Sequence, residues 1–128
     1  MKITALIARI LLGVIFVVFG LNGFLHFIPA PMPTGLAGQF VTVLFASHYT
    51  WVIFGVQLLG GVLLLVGRYV VLALVLLGAV IVNILTFHIL MAPAGLPLAL
   101  VVTALWVILA VRNKQHLAGI FVPESEAT

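Results

Sequence analysis

Charge is nearly absent from this sequence. Its 128 residues include five Lys or Arg and two Asp or Glu, so that 5% of the chain is charged, whereas soluble domains carry roughly 25% charged residues. No charged residue lies between Arg9 and Arg68, and none lies between Arg68 and Arg112. A soluble domain must present a polar surface to water, so these two stretches exclude that class. The chain is therefore predicted to be an integral membrane protein.

Other missing residues and motifs exclude classes of function. There is no cysteine, which excludes disulfides, thiolate metal sites and thiol redox chemistry within the chain. The sequence contains no Gly-rich phosphate loop and no nucleophile elbow. Both acids, Glu124 and Glu126, lie in the C-terminal tail, so no intramembrane carboxylate is available for proton-coupled transport. With no basic patch beyond Arg112 and Lys114, nucleic acid is not a predicted partner.

The residues that are present are mainly apolar. The chain is 66% hydrophobic and its mean hydropathy is +1.48, so the lipid bilayer is its predicted environment. A spanning helix needs about 20 mainly apolar residues, and breaks containing Pro and Gly divide the chain into four such segments. The sequence predicts an all-α integral membrane four-helix bundle, a single transmembrane domain over residues 1–128. Its predicted spans cover about 3–25, 49–66, 69–91 and 96–111, and a polar tail follows over 112–128.

The segment between the first two spans is a weaker helix candidate. Pro29, Pro31 and Pro33 break any helix that continues from the first span. Thr34 then offers an N-cap for a helix that ends near Ser47. Glycine and polar residues dilute the apolar face of this segment, so we predict a short interfacial or re-entrant helix.

The cations are distributed asymmetrically. Lys2 and Arg9 flank the start of the first span, Arg68 lies between the second and third, and Arg112 and Lys114 follow the fourth. With four spans, all five cations fall on one side of the membrane. The positive-inside rule assigns that side to the cytoplasm, so we predict that both termini are cytoplasmic.

Few polar side chains lie at membrane depth, and most fall in its outer half. Asn22 and His26 are four residues apart and share a helical face, Gln57 lies in the second span, and Asn83 and His88 lie near the outer end of the third. We predict that these five residues form one ligand pocket near the outer leaflet. Amides can hold a carbonyl acceptor such as a quinone, and histidine can carry protons near neutral pH.

A structural interpretation of the same residues is the alternative. The three amides would form hydrogen bonds between helices, as buried amides commonly do in membrane bundles. The two histidines would lie at the membrane interface with their polar edges in water. A metal site is not predicted, because no acid lies near the histidines and their spacing matches no ligand motif.

The order of short motifs along the chain resembles a known family. After Arg9 the sequence carries, in order, Gly-Leu-Asn-Gly-Phe at 20–24, Phe-Ile-Pro-Ala-Pro at 27–31, Gly-Gly at 60–61, Gly-Arg at 67–68, Val-Asn-Ile at 82–84 and Phe-His at 87–88. This order and spacing resembles the DoxX family of small four-span bacterial membrane proteins. The resemblance covers about residues 8–91.

The resemblance implies a location and a class of function. It implies a multi-pass protein of the bacterial plasma (inner) membrane. The family is named after a subunit of a thiosulfate:quinone oxidoreductase, and other members are associated with oxidative-stress complexes. A DoxX-like chain is therefore expected to be a membrane subunit of a quinone-linked redox system, with a soluble or membrane redox partner. Many relatives have Glu before the Gly-Gly pair, whereas this chain has Gln57, which weakens the case for proton transfer at that position.

Two other functions are left open by the sequence. One is a non-catalytic membrane anchor or assembly factor for a soluble partner, and the other is a small-solute permease. Catalysis by the chain itself and a homo-oligomeric state are likewise open at this point.

The predicted orientation can be tested by labelling single cysteines, because the chain has no native cysteine. A cysteine at Ala37 should react with an impermeant thiol reagent added outside intact cells, and a cysteine at Ser125 should react only after lysis. The opposite pattern of labelling would reverse the predicted orientation.

Overall fold

The fold is built from helices joined by short turns. The computed structural model describes residues 2–123, so the end of the predicted tail, 124–128, lies outside the described residues. The helices are α1 (Lys2–Leu25), α2 (Gly35–Ala46), α3 (Thr50–Val66), α4 (Val70–Leu90), α5 (Leu96–Arg112) and α6 (Lys114–Leu117). Short 3-10 turns cover Pro93–Gly95 and Ala118–Phe121. No strand occurs within residues 2–123, so the predicted all-α fold, with a short helix between the first two long ones, is confirmed.

The long helices have the length and composition of membrane spans. α1, α4 and the segment Pro93–Arg112 are each long and apolar enough to cross a bilayer. α3 has 17 residues, or roughly 26 Å at the usual helical rise, and passes the same test only together with α2, from which it is bent by 87°. The protein thus has three to four candidate spans, and its orientation in the membrane stays a prediction.

The short helix α2 differs from the sequence-based expectations in two details. Thr34 occupies the N-cap position, but its hydroxyl makes no capping hydrogen bond. Ala37 is only 2% exposed, so a cysteine there would be shielded from a soluble reagent. The exposed Gln39 on the same helix is the better labelling position. Ser125 lies outside the described residues, and the exposed Gln115 can replace it.

The four long helices close into a ring. α1 packs against α3, α3 against α4, α4 against α5, and α5 against α1. Their inward faces form one apolar core, in which Leu12, Leu64, Leu74 and Leu77 are fully buried. Large apolar side chains also cover the outside of the ring, which suits a bundle surrounded by acyl chains.

The turn between α3 and α4 shows how the cations are used. Gly67 ends α3 with a φ of 76°, a left-handed conformation that glycine adopts without steric cost. The guanidinium of Arg9, on α1, donates a hydrogen bond to the carbonyl of Leu64, one of the carbonyls left unpaired at the end of α3. Because a helix C-terminus carries partial negative charge, this cation stabilises the end of α3.

Glycines bring α1 and α3 into backbone contact. A Cβ atom placed on Gly61 would lie 2.9 Å from the backbone nitrogen of Val17 and 3.1 Å from the carbonyl oxygen of Gly13. A Cβ atom on Gly20 would lie 3.3 Å from the backbone of Leu58. Lipid provides no hydrophobic force between helices, so close approach through small residues is a main source of their association.

The Gly61 contact predicts a large effect from a single methyl group. Gly61→Ala should lower the stability of the bundle by about 1–3 kcal/mol, because the added Cβ overpacks against the α1 backbone. The measurement is thermal unfolding of the purified protein in detergent. Gly55→Ala is the matched control, since nothing lies within 4 Å of a Cβ at that position of the same helix and the change should raise helix stability by roughly 0.5–1 kcal/mol. Equal unfolding temperatures for the two variants would contradict the packing described above.

Candidate functional site

A cavity of about 340 Å³ lies between the four long helices. Its lining includes Phe16 and Phe19 from α1, Phe54 and Gln57 from α3, and His88 from α4, together with residues of α5. We call it the bundle cavity. Its volume is at the lower end of the range of small-molecule sites, roughly 300–1,000 Å³.

Gln57 is the polar side chain at the centre of this site. It is only 5% exposed, yet its amide makes no hydrogen bond to any group in residues 2–123. Every side-chain nitrogen or oxygen that is completely sealed within the described residues has a hydrogen-bond partner. The unpaired Gln57 amide is therefore not sealed but opens to the cavity that it lines. Leaving a buried polar group unpaired is unfavourable, so this amide is a donor and an acceptor available to a ligand.

His88 lies on the cavity wall with one ring nitrogen already engaged. Its Nδ1 is 2.8 Å from the carbonyl oxygen of Ile84. A carbonyl can only accept, so Nδ1 carries the hydrogen, and Nε2 of the neutral ring is an acceptor. The ring is half-buried and contacts Phe87 edge-on, with ring centroids 5.2 Å apart. His88 can thus accept a proton at Nε2 without losing its bond to α4.

Gly95 provides the space that the His88 ring occupies. A Cβ atom at Gly95 would overlap Cδ2 and Nε2 of His88. The φ of Gly95 is −87°, which any residue can adopt, so glycine is required here for its small size and not for its conformation. No local pattern in the sequence indicates this contact between Gly95 and His88.

The cavity has aromatic walls and an opening toward lipid. Phe16 is buried and Phe54 is half-buried, but Phe19 of α1 is 38% exposed and Leu98 of α5 is 46% exposed. Both of these exposed side chains line the cavity, and α1 and α5 are neighbours in the ring. The mouth of the cavity therefore lies between α1 and α5, on the outer surface of the bundle. The three phenylalanines were not predicted, since apolar residues of an apolar span carry no signal that marks them as cavity residues.

Asn22 and His26 lie outside the bundle cavity. They line a separate cavity of about 440 Å³ formed with the Pro-rich loop and α2. Asn22 Oδ1 accepts a hydrogen bond from the backbone N–H of Ile28 at 2.7 Å. His26 has a φ of 53°, and its ring lies 5.4 Å from that of Phe45. Asn22 stabilises the loop that follows α1 and His26 lies in that loop, so the prediction of one shared pocket is wrong for them.

Asn83 points away from the bundle interior. It is exposed on α4, and its Nδ2 donates to the carbonyl of Ala79 on the same helix at 2.9 Å. Residues 83 and 88 are five apart, which turns them about 140° from each other around a helix. Ile84, four residues before His88, shares its face and lines the bundle cavity instead. The shared-pocket prediction is therefore wrong for Asn83 as well, and of the five predicted residues only Gln57 and His88 meet.

The alternative interpretation, in which the three amides link helices, also differs from the observed hydrogen bonds. None of the three amides makes a hydrogen bond between helices within the described residues. Such a bond is made instead by Trp106 of α5, whose Nε1 donates to the carbonyl of Leu74 on α4 at 2.9 Å. Gly78 leaves room for this indole, 3.2 Å from a Cβ position there. Across residues 2–123, no three His, Asp or Glu side chains come together as a metal site would require.

Comparison with known proteins identifies a relationship at the level of the family. The DoxX family model matches residues 4–89, which is more than half of the chain and includes nearly all of α1 to α4. No curated protein and no solved structure was found to match the chain.

The contact between Gly95 and His88 predicts that a methyl group at Gly95 displaces the ring. In Gly95→Ala, the imidazole ¹⁵N resonances of His88, assigned with His88→Gln, should shift because the ring loses its bond to the Ile84 carbonyl. Gly119→Ala is the control, since nothing lies within 4 Å of a Cβ at that position. Unchanged His88 resonances in Gly95→Ala would show that the ring does not occupy this space.

Proposed function

Because this chain belongs to the DoxX family, we propose that its bundle cavity binds the head group of a quinone, as the membrane subunit of a redox system. The observation that carries this proposal is the buried and unpaired amide of Gln57 in a cavity shared with His88. The proposed location is the bacterial inner membrane, with both termini in the cytoplasm.

The two polar groups match both redox forms of a quinone. The Gln57 amide can donate to a quinone carbonyl and can accept from the hydroxyl of a quinol. When its ring is neutral, His88 can accept a hydrogen bond at Nε2 from a quinol hydroxyl. When the ring is protonated, the same nitrogen can donate a hydrogen bond to a quinone carbonyl. An amide does not titrate, so in this proposal Gln57 holds the ligand and His88 is the group that exchanges a proton with it.

The walls and the mouth of the cavity suit an apolar ligand that resides in the bilayer. Aromatic rings in the lining, such as Phe16 and Phe54, can pack against a quinone ring. The opening between α1 and α5 faces the acyl chains, so an isoprenoid tail could remain in lipid while the head group enters. A polar solute would meet an apolar mouth, and for that reason we favour the quinone over transport of a small polar solute.

The proposal assigns electron transfer to a partner. Conversion of a quinone to a quinol takes up two electrons and two protons. A soluble or membrane redox protein would supply both electrons. His88 would take up a proton from water at Nε2 and pass it to one quinone oxygen, and after a second uptake the same nitrogen would supply the proton for the other oxygen. The chain described here contributes binding, orientation and one proton-carrying group.

Binding of a short-tailed benzoquinone to the purified protein tests the proposal. The quinone should raise the unfolding temperature of the wild type. Gln57→Leu should weaken quinone binding by about 2–10-fold, the effect of one lost hydrogen bond. The ligand-free variant should be at least as stable as the wild type, because a buried unpaired amide has been removed. Unfolding temperatures and quinone titrations followed by Trp fluorescence measure both quantities.

Asn83→Ala is the matched control, because it removes an amide that lies on the outside of the bundle. It should leave quinone binding unchanged. If the wild type shows no response to benzoquinone or naphthoquinone and a soluble enzyme co-purifies with it, the anchor or assembly function replaces the proposed one. Equal loss of binding in Gln57→Leu and Asn83→Ala would place the ligand outside the bundle cavity.

A further inference from the structure

A further cavity lies at the opposite end of the bundle from the bundle cavity, beside the N-terminal part of α1. It has a volume of about 350 Å³ and is lined by Lys2, Arg9, Arg112 and Asn113 together with apolar residues. We call it the cation cavity. It contains three of the five Lys and Arg residues of the chain.

Within residues 2–123, no side chain balances the positive charge around this cavity. Residues 2–123 contain no Asp or Glu at all, so the part of the protein that the structure describes has no carboxylate to offer these cations. Three like charges around one small cavity repel each other. Packing nevertheless holds them together, because Arg9 is on α1 and Arg112 is in the last turn of α5, two neighbouring helices. An anion bound between them would relieve this repulsion.

Arg9 is positioned to share its donors between the protein and a ligand. Its guanidinium is half-buried and donates to the Leu64 carbonyl at the end of α3. A guanidinium has five N–H donors in a planar fork that suits phosphate oxygens. Within residues 2–123 one of these donors is used, and the cation cavity that Arg9 lines is where the others can meet an anion. Lys2 and Arg112 are exposed and can close on an anion from the aqueous side.

The remaining walls are apolar and continue onto the outer surface of the bundle. Ile3 and Leu6 line the cation cavity and are 72% and 50% exposed, respectively. Val70 of α4 completes the wall. A small inorganic anion gains nothing from such a wall, whereas the glycerol and acyl groups of a lipid would pack on it.

We propose that the cation cavity binds the phosphate group of an anionic phospholipid, with its acyl chains along Ile3 and Leu6. Basic pockets between helices at the cytoplasmic side of membrane proteins bind anionic head groups in this manner. Through Arg9, the bound phosphate would be coupled to the end of α3, the helix that carries Gln57. This site is independent of the quinone proposal, because it lies at the other end of the bundle and uses different residues.

Native mass spectrometry of the detergent-purified full-length chain tests the proposal. Phosphatidylglycerol should form a one-to-one adduct, and phosphatidylcholine at the same concentration should not. Arg112→Gln should weaken the phosphatidylglycerol adduct about fivefold, as expected for the loss of one cation near a lipid phosphate. Arg68→Gln is the matched control, since it removes one Arg that lines no part of the cation cavity, and it should change the adduct less than twofold.

Two further measurements identify the anion. Inorganic phosphate at a hundredfold excess should not displace the lipid; displacement would show a site for free phosphate and would overturn the proposal. A chain ending at Pro123, without Glu124 and Glu126, should bind the lipid as the full chain does. If only the shortened chain binds it, the acids of the tail occupy the site and the proposal is wrong. Equal weakening by Arg112→Gln and Arg68→Gln would also overturn it, because the attraction would then be a general effect of surface charge.

Discussion

The close approach of α1 and α3 is the contact on which the rest of the structure depends. Gly13 and Gly61 bring the two backbones together, and Gly20 does the same nearer the C-terminal end of α1. Dispersion forces fall off steeply with distance, so they contribute strongly only when backbones are this near. The bond from Arg9 to Leu64 secures the other end of the pair. A membrane bundle cannot gain this association from the hydrophobic effect, because lipid is as apolar as the core.

The contact between α1 and α3 also determines where the Gln57 amide points. Gln57 and Gly61 are four residues apart on α3 and so lie on the same side of the helix. Any rotation of α3 that moved Gln57 toward lipid would remove Gly61 from the α1 backbone. The packing energy of the glycine contact therefore holds a polar amide inside the bundle, where it lines the cavity with His88. Binding sites commonly hold a group in an energetically unfavourable position, as the bundle holds this amide.

The two ends of the bundle carry different chemistry, and an apolar layer separates them. Four leucines of the core are completely buried between the bundle cavity and the cation cavity: Leu12, Leu64, Leu74 and Leu77. The described residues contain no chain of polar side chains that crosses this layer. A quinone and an anionic lipid would therefore occupy separate sites, and α3, bound to Arg9 at one end and bearing Gln57 toward the other, is the element common to both.

The sequence did not reveal how each helix is rotated about its own axis, and therefore which of its faces points into the bundle. Hydrophobic periodicity identifies the buried face of a helix in water, where the outer face is polar. α4 is apolar on nearly all sides, so its pattern could not show that Asn83 faces outward while Ile84 and His88 face the cavity. For the same reason the sequence predicts a pocket position for Asn22, whereas its side chain bonds to the backbone of the loop after α1. Trp106 makes the bond between helices that was expected from an amide.

The sequence by itself determined the all-α class, the helix between the first two long ones, the membership of the DoxX family and the segregation of the cations. These follow from local properties: the length of apolar runs, the breaks at Pro and Gly, and the positions of charge along the chain. Only the tertiary structure decided that Gln57 and His88 meet, that Asn22, His26 and Asn83 lie elsewhere, and that Gly95 makes room for the imidazole. Those outcomes depend on the rotation of each helix about its axis, which close packing between backbones sets when core and solvent are equally apolar.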